Sequence, residues 1–297
     1  MSSQIDRHLV ARPTEIKWHH KRSNRRRLHL YFTNLLLILI GIIMILPLLW
    51  MFSTALKTPA ETFKFPPQWI PARFVWRNFV DALTLVPFHL FFRNTMLIIA
   101  LVTLGAVFSN MVVGYSFARL RFRGKGLMFT VMLATMMIPY QVTMIPMYIA
   151  FTKIGWWDTA LPLIVPNMFA TPFFTFLARQ YILTIPYELD EAARIDGCNT
   201  WQILLRVLGP ICKPAMTMIV VFSFIWTWSD FLWPLIYLNT EARYTVALGL
   251  SVFRSRFGTQ YNLLMAASLV ATLPPLVIYY FAQDYIIGGI ASFGLKG

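Results

Sequence analysis

One acidic residue lies deep in an otherwise uncharged, apolar stretch of the sequence. Asp230 follows Trp226, Thr227, Trp228 and Ser229. A carboxylate in hydrocarbon is costly, so its presence there indicates a function. Flat apolar rings beside carboxylate and hydroxyl groups are suited to a sugar, because the rings cover its C–H face and the polar groups bind its hydroxyls. A structural cluster at the outer membrane interface, where tryptophan is enriched, is an equally open interpretation.

A proton or ion relay through Asp230 is a weaker interpretation. Relays use chains of titratable groups, and no second acidic or histidine residue lies deep in another apolar segment. The other candidates for a pathway are the uncharged polar residues Asn110, Tyr140, Gln141 and Asn167. Each could instead bond two helices together, a contact worth about 0.6–2 kcal/mol in a membrane.

The composition is that of a polytopic membrane protein. Of 297 residues, 58% are hydrophobic and 13% are charged, whereas a soluble domain has about 25% charged residues. The net charge of +14 is explained by cationic cytoplasmic loops, so no nucleic-acid partner is expected. The two cysteines lack metal-ligand spacing and no phosphate-binding glycine motif occurs, so we expect no metal, cofactor or ATP on this chain.

Six apolar segments can cross a membrane as helices, since a crossing takes about 20 residues. The predicted fold class is therefore all-α, a polytopic membrane protein with six transmembrane helices. Their expected positions are about 30–53, 94–117, 127–150, 159–179, 214–236 and 262–285. The fifth segment reaches spanning length only if Asp230 lies inside the helix.

The basic residues set the expected orientation. The N-terminal tail (1–29) contains eight Lys and Arg residues, and the loops at 119–126 and 179–213 contain four each. Since cytoplasmic loops are enriched in these residues, both termini are predicted to be cytoplasmic. A transmembrane domain (30–285) is then followed by a cytoplasmic tail (286–297).

The loop between the fourth and fifth segments (181–212) is the longest polar interval in the second half of the chain. Pro186 suits the first turn of a helix whose acidic residues lie near its positive end. Asp190 and Arg194, four residues apart, are expected to pair. The first half of the loop therefore predicts a short helix.

A second short helix is expected directly afterwards. Gly197 supplies a helix stop, and Asn199 with Gln202 three residues later has the spacing of a capping box. Two short helices joined by a sharp glycine turn would lie at the inner membrane surface. Taken alone, this is consistent with a docking element or with a surface-lying loop that has no partner.

The sequence EAARIDG at 191–197, followed by Pro210, resembles the EAA loop of permease subunits of binding-protein-dependent ABC importers. The chain departs from the family pattern at Cys198, where Ala is usual, and at Gly209, where Leu is usual. The resemblance assigns coupling to the ATPase subunits to Glu191, Ala192, Ala193, Arg194, Asp196, Gly197 and Pro210.

Further segments resemble the carbohydrate class of these permeases, and in particular the second permease subunit of the maltose-transporter type. They are RLRFRGKG at 119–126, DFLWPL at 230–235, LLMAASLVATLPP at 263–275 and the tail that ends in GLKG. The resemblance thus covers most of the chain.

The resemblance implies a permease subunit that is not itself an enzyme, in the cell (inner or cytoplasmic) membrane. Implied partners are a second permease subunit in a heterodimer, two ATPase subunits that hold ATP and Mg, an extracytoplasmic sugar-binding protein and the lipid bilayer. The loop 237–262 would reach the binding protein. The C-terminal residues Gly294, Leu295, Lys296 and Gly297 would contact the ATPase pair.

Alternating access driven by ATP is the implied mechanism. Three alternatives stay open: an ion-gradient-driven secondary transporter with Asp230 as its ion site, a scaffold protein, and an importer of a non-sugar solute such as a sugar-phosphate or polyol.

Overall fold

The computed structural model describes the backbone of residues 18–256 and 260–294, and the side chains of 29–254 and 260–283. Over these residues the chain is helical, without a β-strand, which confirms the all-α part of the predicted fold class there. The helices are α1 Trp18–Ala55, α2 Pro59–Thr62, α3 Arg77–Thr84, α4 Phe88–Arg119, α5 Lys125–Ala134, α6 Tyr140–Lys153, α7 Leu161–Met168, α8 Pro172–Thr184, α9 Glu188–Ile195, α10 Thr200–Gln202, α11 Gly209–Ile211, α12 Lys213–Ser229, α13 Leu232–Tyr237, α14 Val246–Arg256 and α15 Tyr261–Gly294.

The described residues form two compact units, which divide between residues 51 and 52. The first contains most of α1, a helix of leucine and isoleucine with Pro47 inside it. The second contains the remaining helices and is built around α4. The polar loop and the Asp230 cluster both belong to the second unit.

Four helical stretches among the described residues are long and apolar enough to cross a membrane: His29–Ala55, Phe88–Arg119, Leu161–Thr184 and Tyr261–Gln283. Two bent pairs also pass the test of length and composition, which gives up to six spans. The pairs are Lys125–Met137 with Tyr140–Lys153, bent by 95°, and Thr200–Ile211 with Lys213–Ser229, bent by 80°.

The third predicted segment (127–150) is broken rather than continuous. Ile138 has extended backbone with ψ 115°, because a residue that precedes a proline, here Pro139, avoids the helical region. The fifth (214–236) was also predicted to be continuous, which is wrong. Helix α12 ends at Ser229, and Asp230 has extended backbone with ψ 113°. Asp230 therefore lies in a helix break.

Glycines bring α4 very close to its neighbours. A Cβ on Gly105 would lie 2.6 Å from Met168 Cβ, and one on Gly114 would lie 2.7 Å from Ala178 Cβ. Such approaches are below van der Waals contact, so only glycine fits at either position. Small residues at membrane helix contacts allow this backbone proximity. Helix α4 is thereby packed tightly against α7 and α8.

A buried amide strengthens the same contact. The Asn110 side chain is fully buried; its Nδ2 donates to Ala106 O, and its Oδ1 accepts from Thr171 N and Thr175 Oγ1 at 2.9 Å each. In a membrane such bonds replace those that water would make. Asn110 thus joins α4 to the start of α8.

Candidate functional site

A cavity of about 460 Å³ lies beside the break between α12 and α13. Its lining combines aromatic rings, hydroxyls, one amide and one carboxylate. The lining residues are Val102, Met136, Asn167, Thr171, Pro172, Phe173, Phe174, Ser223, Trp226, Thr227, Ser229, Asp230 and Trp233. Three predicted pathway residues, Asn167, Trp226 and Asp230, are therefore brought together.

The helix break presents the Asp230 carboxylate to this cavity. Asp230 Oδ1 accepts a hydrogen bond from Trp233 N at 3.2 Å, which occupies one of the free N–H groups at the start of α13. The side chain is half-buried. The cavity thus has a fixed acidic group on its wall.

Trp226 presents a large aromatic surface on the same wall. Its ring stacks on Phe174 with centroids 5.0 Å apart and 21° between the planes, and it also contacts Phe173 and Phe222. Despite these contacts Trp226 is 51% exposed. The phenylalanines hold the indole in place while about half of the residue stays available to a ligand.

Trp228, in contrast, does not line this cavity. It is 6% exposed, and its Nε1 donates to Ala271 O at 3.0 Å. Two residues along a helix rotate a side chain by about 200°, so Trp226 and Trp228 lie on opposite sides of α12. Trp228 joins α12 to α15.

The other three predicted pathway residues also lie outside the cavity lining. Asn110 is buried between helices as described above. The Tyr140 ring lies 6.1 Å from that of Trp233 and is half exposed, and Gln141 is exposed on α6. Tyr140 therefore contacts a lining residue without lining the cavity itself.

Several lining residues had no signal of their own in the sequence. Phe174 and Thr171 come from the start of α8, and Ser223 from α12. Only the packing of α8 against α12 brings them together. Trp233 lies within the DFLWPL segment, and its proximity to Asp230 in sequence could have indicated it.

The polar loop forms the predicted pair of helices around a glycine turn. Gly197 has φ +83°, a conformation that other residues adopt only with strain. Asn199 Oδ1 accepts from Gln202 N at 2.9 Å, and Asn199 N donates to Gln202 Oε1 at 2.8 Å. The glycine stop and the capping box are therefore confirmed. We call residues 188–211 the coupling segment.

The second half of the coupling segment contains a π-helical stretch, Ile203–Leu208. Gly209 N donates to Leu204 O, five residues back. A Cβ on Gly209 would lie 3.2 Å from the same oxygen, and the next residue, Pro210, has no N–H to continue an α-helix. Gly209, where the family usually has Leu, thus lies at a position where a side chain would crowd the Leu204 carbonyl.

A buried ion pair anchors α9. Arg119 Nε lies 2.6 Å from Asp190 Oδ2, with 6% and 0% of the two side chains exposed. Arg119 Nη2 also donates to Ile185 O at 2.7 Å, and its guanidinium lies 5.4 Å from the Tyr187 ring centroid. Arg119, at the end of α4, is therefore the cation in direct contact with Asp190, whereas Arg194, with which Asp190 was expected to pair, acts on it as a more distant charge.

Burial raises the pKa of Asp190, and the charges of Arg119 and Arg194 oppose this rise. A buried carboxylate stays ionised only if a cation compensates for its lost hydration. The Asp190 carboxylate thus depends on Arg119.

The assigned coupling residues divide between two environments. Ala193 is buried against Ile203, Leu204 and neighbouring core side chains. The other assigned residues, Glu191, Ala192, Arg194, Asp196, Gly197 and Pro210, are exposed. Ile195 and Trp201 are 87% and 54% exposed beside them. Exposed apolar side chains next to acidic ones are typical of a docking surface.

At the other end of the second unit, Asp158 joins two loops. Its Oδ1 accepts from Asn239 N at 2.8 Å and Thr240 N at 3.0 Å, and its Oδ2 accepts from Thr240 Oγ1 at 2.6 Å. Arg243 Nη1 lies 3.1 Å from Oδ2. Burial opposes ionisation, but these bonds and the Arg243 charge together lower the pKa of Asp158.

The assigned C-terminal contact falls at the limit of the described chain. Gly294 is the last residue of α15, and Leu295, Lys296 and Gly297 lie outside the described residues. Part of the 237–262 loop, residues 257–259, lies outside them as well.

The long apolar helices are those of a multi-pass membrane protein. Residues 110–291 match the family model of the binding-protein-dependent transport system inner membrane component. The chain belongs to this family, and it is therefore an ABC transporter permease and a multi-pass protein of the cell membrane.

Individual relatives agree with this assignment. The arabinooligosaccharides transport system permease protein AraQ of Bacillus subtilis is 34% identical over 71% of this chain and 74% of its own length. The sn-glycerol-3-phosphate transport system permease protein UgpE of Pectobacterium atrosepticum is 32% identical over 91% of this chain and 98% of its own.

A solved structure shares the fold. A chain of a bacterial ABC transporter involved in the import of the acidic polysaccharide alginate superposes with a TM-score of 0.74 and 21% identity. The match covers 87% of this chain and 96% of that chain.

Proposed function

We propose that this chain is a permease subunit of an ATP-driven importer that takes up a sugar or oligosaccharide delivered by an extracytoplasmic binding protein. The observation that carries the proposal is the coupling segment. It combines an exposed surface of acidic, small and apolar residues with a buried anchor to α4. Such a segment can both contact a partner and transmit its movement.

The proposed topology has six spans with both termini in the cytoplasm. The spans are His29–Ala55, α4, the bent pair α5–α6, α7 with α8, α12 with α13, and Tyr261–Gln283. The coupling segment then lies in the cytoplasm between the fourth and fifth spans. The excess of Lys and Arg on that side supports this orientation.

The proposed partners are a second permease subunit, which completes the pathway, and two ATPase subunits, which hold ATP and Mg. Closure of the ATPases moves α9, and the Arg119–Asp190 pair moves α4 with it. Because α7 and α8 pack tightly against α4 at Gly105 and Gly114, they move together with α4. Coupling requires contiguous elements with two discrete arrangements, and the helix breaks at 138–139 and 230–231 are suited to alternating access.

A sugar substrate is supported by the cavity and by the relatives. Trp226 offers a ring surface, and hydroxyls, an amide and Asp230 offer hydrogen bonds. The name of the Bacillus relative specifies arabinooligosaccharides. A sugar-phosphate or polyol is the second candidate, favoured by the glycerol-3-phosphate in the name of the Pectobacterium relative.

The coupling role is tested by one pair of matched glycine variants. Gly197 and Gly155 have φ +83° and +77°, and a Cβ on either meets no atom within 4 Å. Alanine therefore introduces a similar backbone strain at both sites, but only Gly197 lies in the coupling segment. Proteoliposomes with the binding protein and all four membrane-associated subunits should lose ATP-driven sugar uptake with Gly197→Ala and keep it with Gly155→Ala.

A charge reversal tests the surface itself. Glu191→Lys places a cation on the exposed face, and we expect it to abolish uptake while membrane insertion is preserved. Normal uptake with both Gly197→Ala and Glu191→Lys would contradict the coupling role. Uptake that follows a proton or sodium gradient without the ATPase subunits would favour the secondary-transporter alternative.

A further inference from the structure

The cavity beside Asp230 has a definite electrostatic character. Asp230 is the single titratable carboxyl among the residues that line it, and neither Lys, Arg nor His is among them. The remaining polar groups are neutral: four hydroxyls from Thr171, Ser223, Thr227 and Ser229, and the Asn167 amide.

The position of the carboxylate is fixed by the backbone. The bond from Trp233 N engages Oδ1, and no ion pair within 4.0 Å involves Asp230 in the described part of the chain. In its ionised form the carboxylate is therefore compensated only by neutral dipoles of the described residues. Charge interactions are stronger beside a low-dielectric wall than in water, so a second anion within about 8 Å would be disfavoured by roughly tenfold or more.

Trp226 adds a preference of its own. The stacked Phe174 holds its indole, half exposed, on the same wall. An indole face attracts C–H groups and cations but repels anions, because its quadrupole is negative at the face. Asp230 and the Trp226 ring thus both disfavour an anion in the cavity.

We propose that this subunit's part of the pathway admits neutral sugars, or sugars with an amino group, and discriminates against anionic solutes such as uronates and sugar-phosphates. The inference rests on the proposed function, since it takes the cavity as part of the transport route. It distinguishes between the two substrate candidates above.

The electrostatic claim can be measured without knowledge of the natural substrate. Thr227→Cys, in a background of Cys198→Ser and Cys212→Ala, places a thiol on the cavity wall. The assembled transporter is labelled with cationic trimethylammonium-ethyl or anionic sulfonato-ethyl methanethiosulfonate, and the two rates are compared. Asp230→Asn should lower the cation-to-anion rate ratio by about tenfold.

A matched control site separates the local field from global effects. Thr84, exposed on α3, is replaced by Cys in the same background, and its rate ratio should not respond to Asp230→Asn. An unchanged ratio at residue 227, or an equal change at residues 84 and 227, would overturn the inference. The proposed function is tested by a separate measurement that uses no cysteine probe. It fails if the unmodified complex shows no ATP-driven uptake.

Transport selectivity gives the second readout. The unmodified complex is offered a neutral disaccharide that it imports and the matching disaccharide uronate, both with the binding protein in saturating amounts. Asp230→Asn should raise the rate for the uronate relative to the neutral sugar. A complex that already imports the uronate as fast as the neutral sugar would contradict the inference.

Discussion

Arg119 and Asp190 form an ion pair of 2.6 Å between Nε and Oδ2, and both side chains are buried. The pair joins the last residue of α4 to the first turn of α9, across 71 positions of sequence. It is a direct polar link between the coupling segment and α4, the helix around which the second unit is built. The exposed coupling residues of α9 are therefore held in place by Arg119 and Asp190, which are not among the residues assigned to coupling.

Arg119→Ala should strongly destabilise the protein, because it leaves the buried Asp190 carboxylate without its cation. Loss of one partner of a buried pair costs about 3–5 kcal/mol. Arg77→Ala is the matched control, since the Arg77–Asp81 pair is 3.3 Å long but 84% and 36% exposed, and an exposed pair contributes about 0–1 kcal/mol. Thermal unfolding of the purified transporter in detergent measures both.

A double variant separates charge from packing in the same contact. Arg119→Met with Asp190→Leu removes both charges and retains apolar volume, so it should recover much of the stability that Arg119→Ala loses. Equal melting temperatures for Arg119→Ala and Arg77→Ala would show that the buried pair does not anchor α9.

Gly114→Leu should disrupt the α4–α8 contact. Even a Cβ at this position would lie 2.7 Å from Ala178 Cβ, and overpacking of this kind costs about 1–3 kcal/mol or more. Gly126→Leu is the control, because a Cβ there meets no atom within 4 Å. If both variants unfold at the same temperature, the close approach of α4 and α8 is not a determinant of stability.

Trp226 and Trp228 should behave differently when each is replaced by alanine. Trp228→Ala removes a buried ring and its bond to Ala271, so a loss of about 3–5 kcal/mol of stability is expected. Trp226→Ala should reduce sugar uptake with a smaller loss of stability, because this residue lines the cavity and is half exposed. Uptake kinetics and thermal unfolding of the two variants, measured side by side, test the assignment. The reverse pattern would place the ligand surface on the other side of α12.

The loop contact of Asp158 should depend on pH. The bonds from Thr240 and Asn239 and the Arg243 charge outweigh burial and hold the folded-state pKa of Asp158 below the ordinary value of an aspartate. Its contribution is therefore fully present above the unfolded pKa and is lost as the pH falls through the lower, folded pKa. Hydrogen exchange at the Asn239 and Thr240 amides, corrected for intrinsic rates, should show protection down to about pH 4 and its loss below.

Asp158→Asn provides the comparison for that titration. An amide oxygen can still accept the backbone bonds but carries no charge for Arg243, so protection should be weaker and should not change between pH 5 and 3. A wild-type protein whose protection is equally independent of pH would contradict the role of the carboxylate.

Local rules predicted the local features of the coupling segment. The turn at Gly197 follows from the freedom of glycine at positive φ, and the Asn199–Gln202 capping box follows from the spacing of two residues. Neither feature depends on the rest of the chain. The partner of Asp190 could not be found in this way, because Arg119 becomes its neighbour only after α4 and α9 pack together.

The residues that line the cavity could likewise not all be predicted from local sequence. Trp226 and Trp228 are equivalent in sequence, and only the angle between them on α12 separates a cavity wall from a core contact. The break at Pro139 did have a sequence signal, since the residue before a proline avoids helical backbone. The break at Asp230 has a comparable local signal, because the Pro234 ring clashes with the carbonyl four residues earlier, that of Asp230, and Pro234 has no N–H to bond it.

The hydrogen bonds of Asn110 bear on how the protein is made. Its partner Thr175 lies 65 residues further along the chain. At about 5–20 residues per second, the ribosome delivers that partner several seconds after Asn110. During this interval the amide of α4 has no bond to α8, and hydrocarbon offers it none. We therefore expect α4 to remain beside the insertion machinery, or in contact with water, until α8 has been synthesised, so that α4 and α8 enter the lipid together.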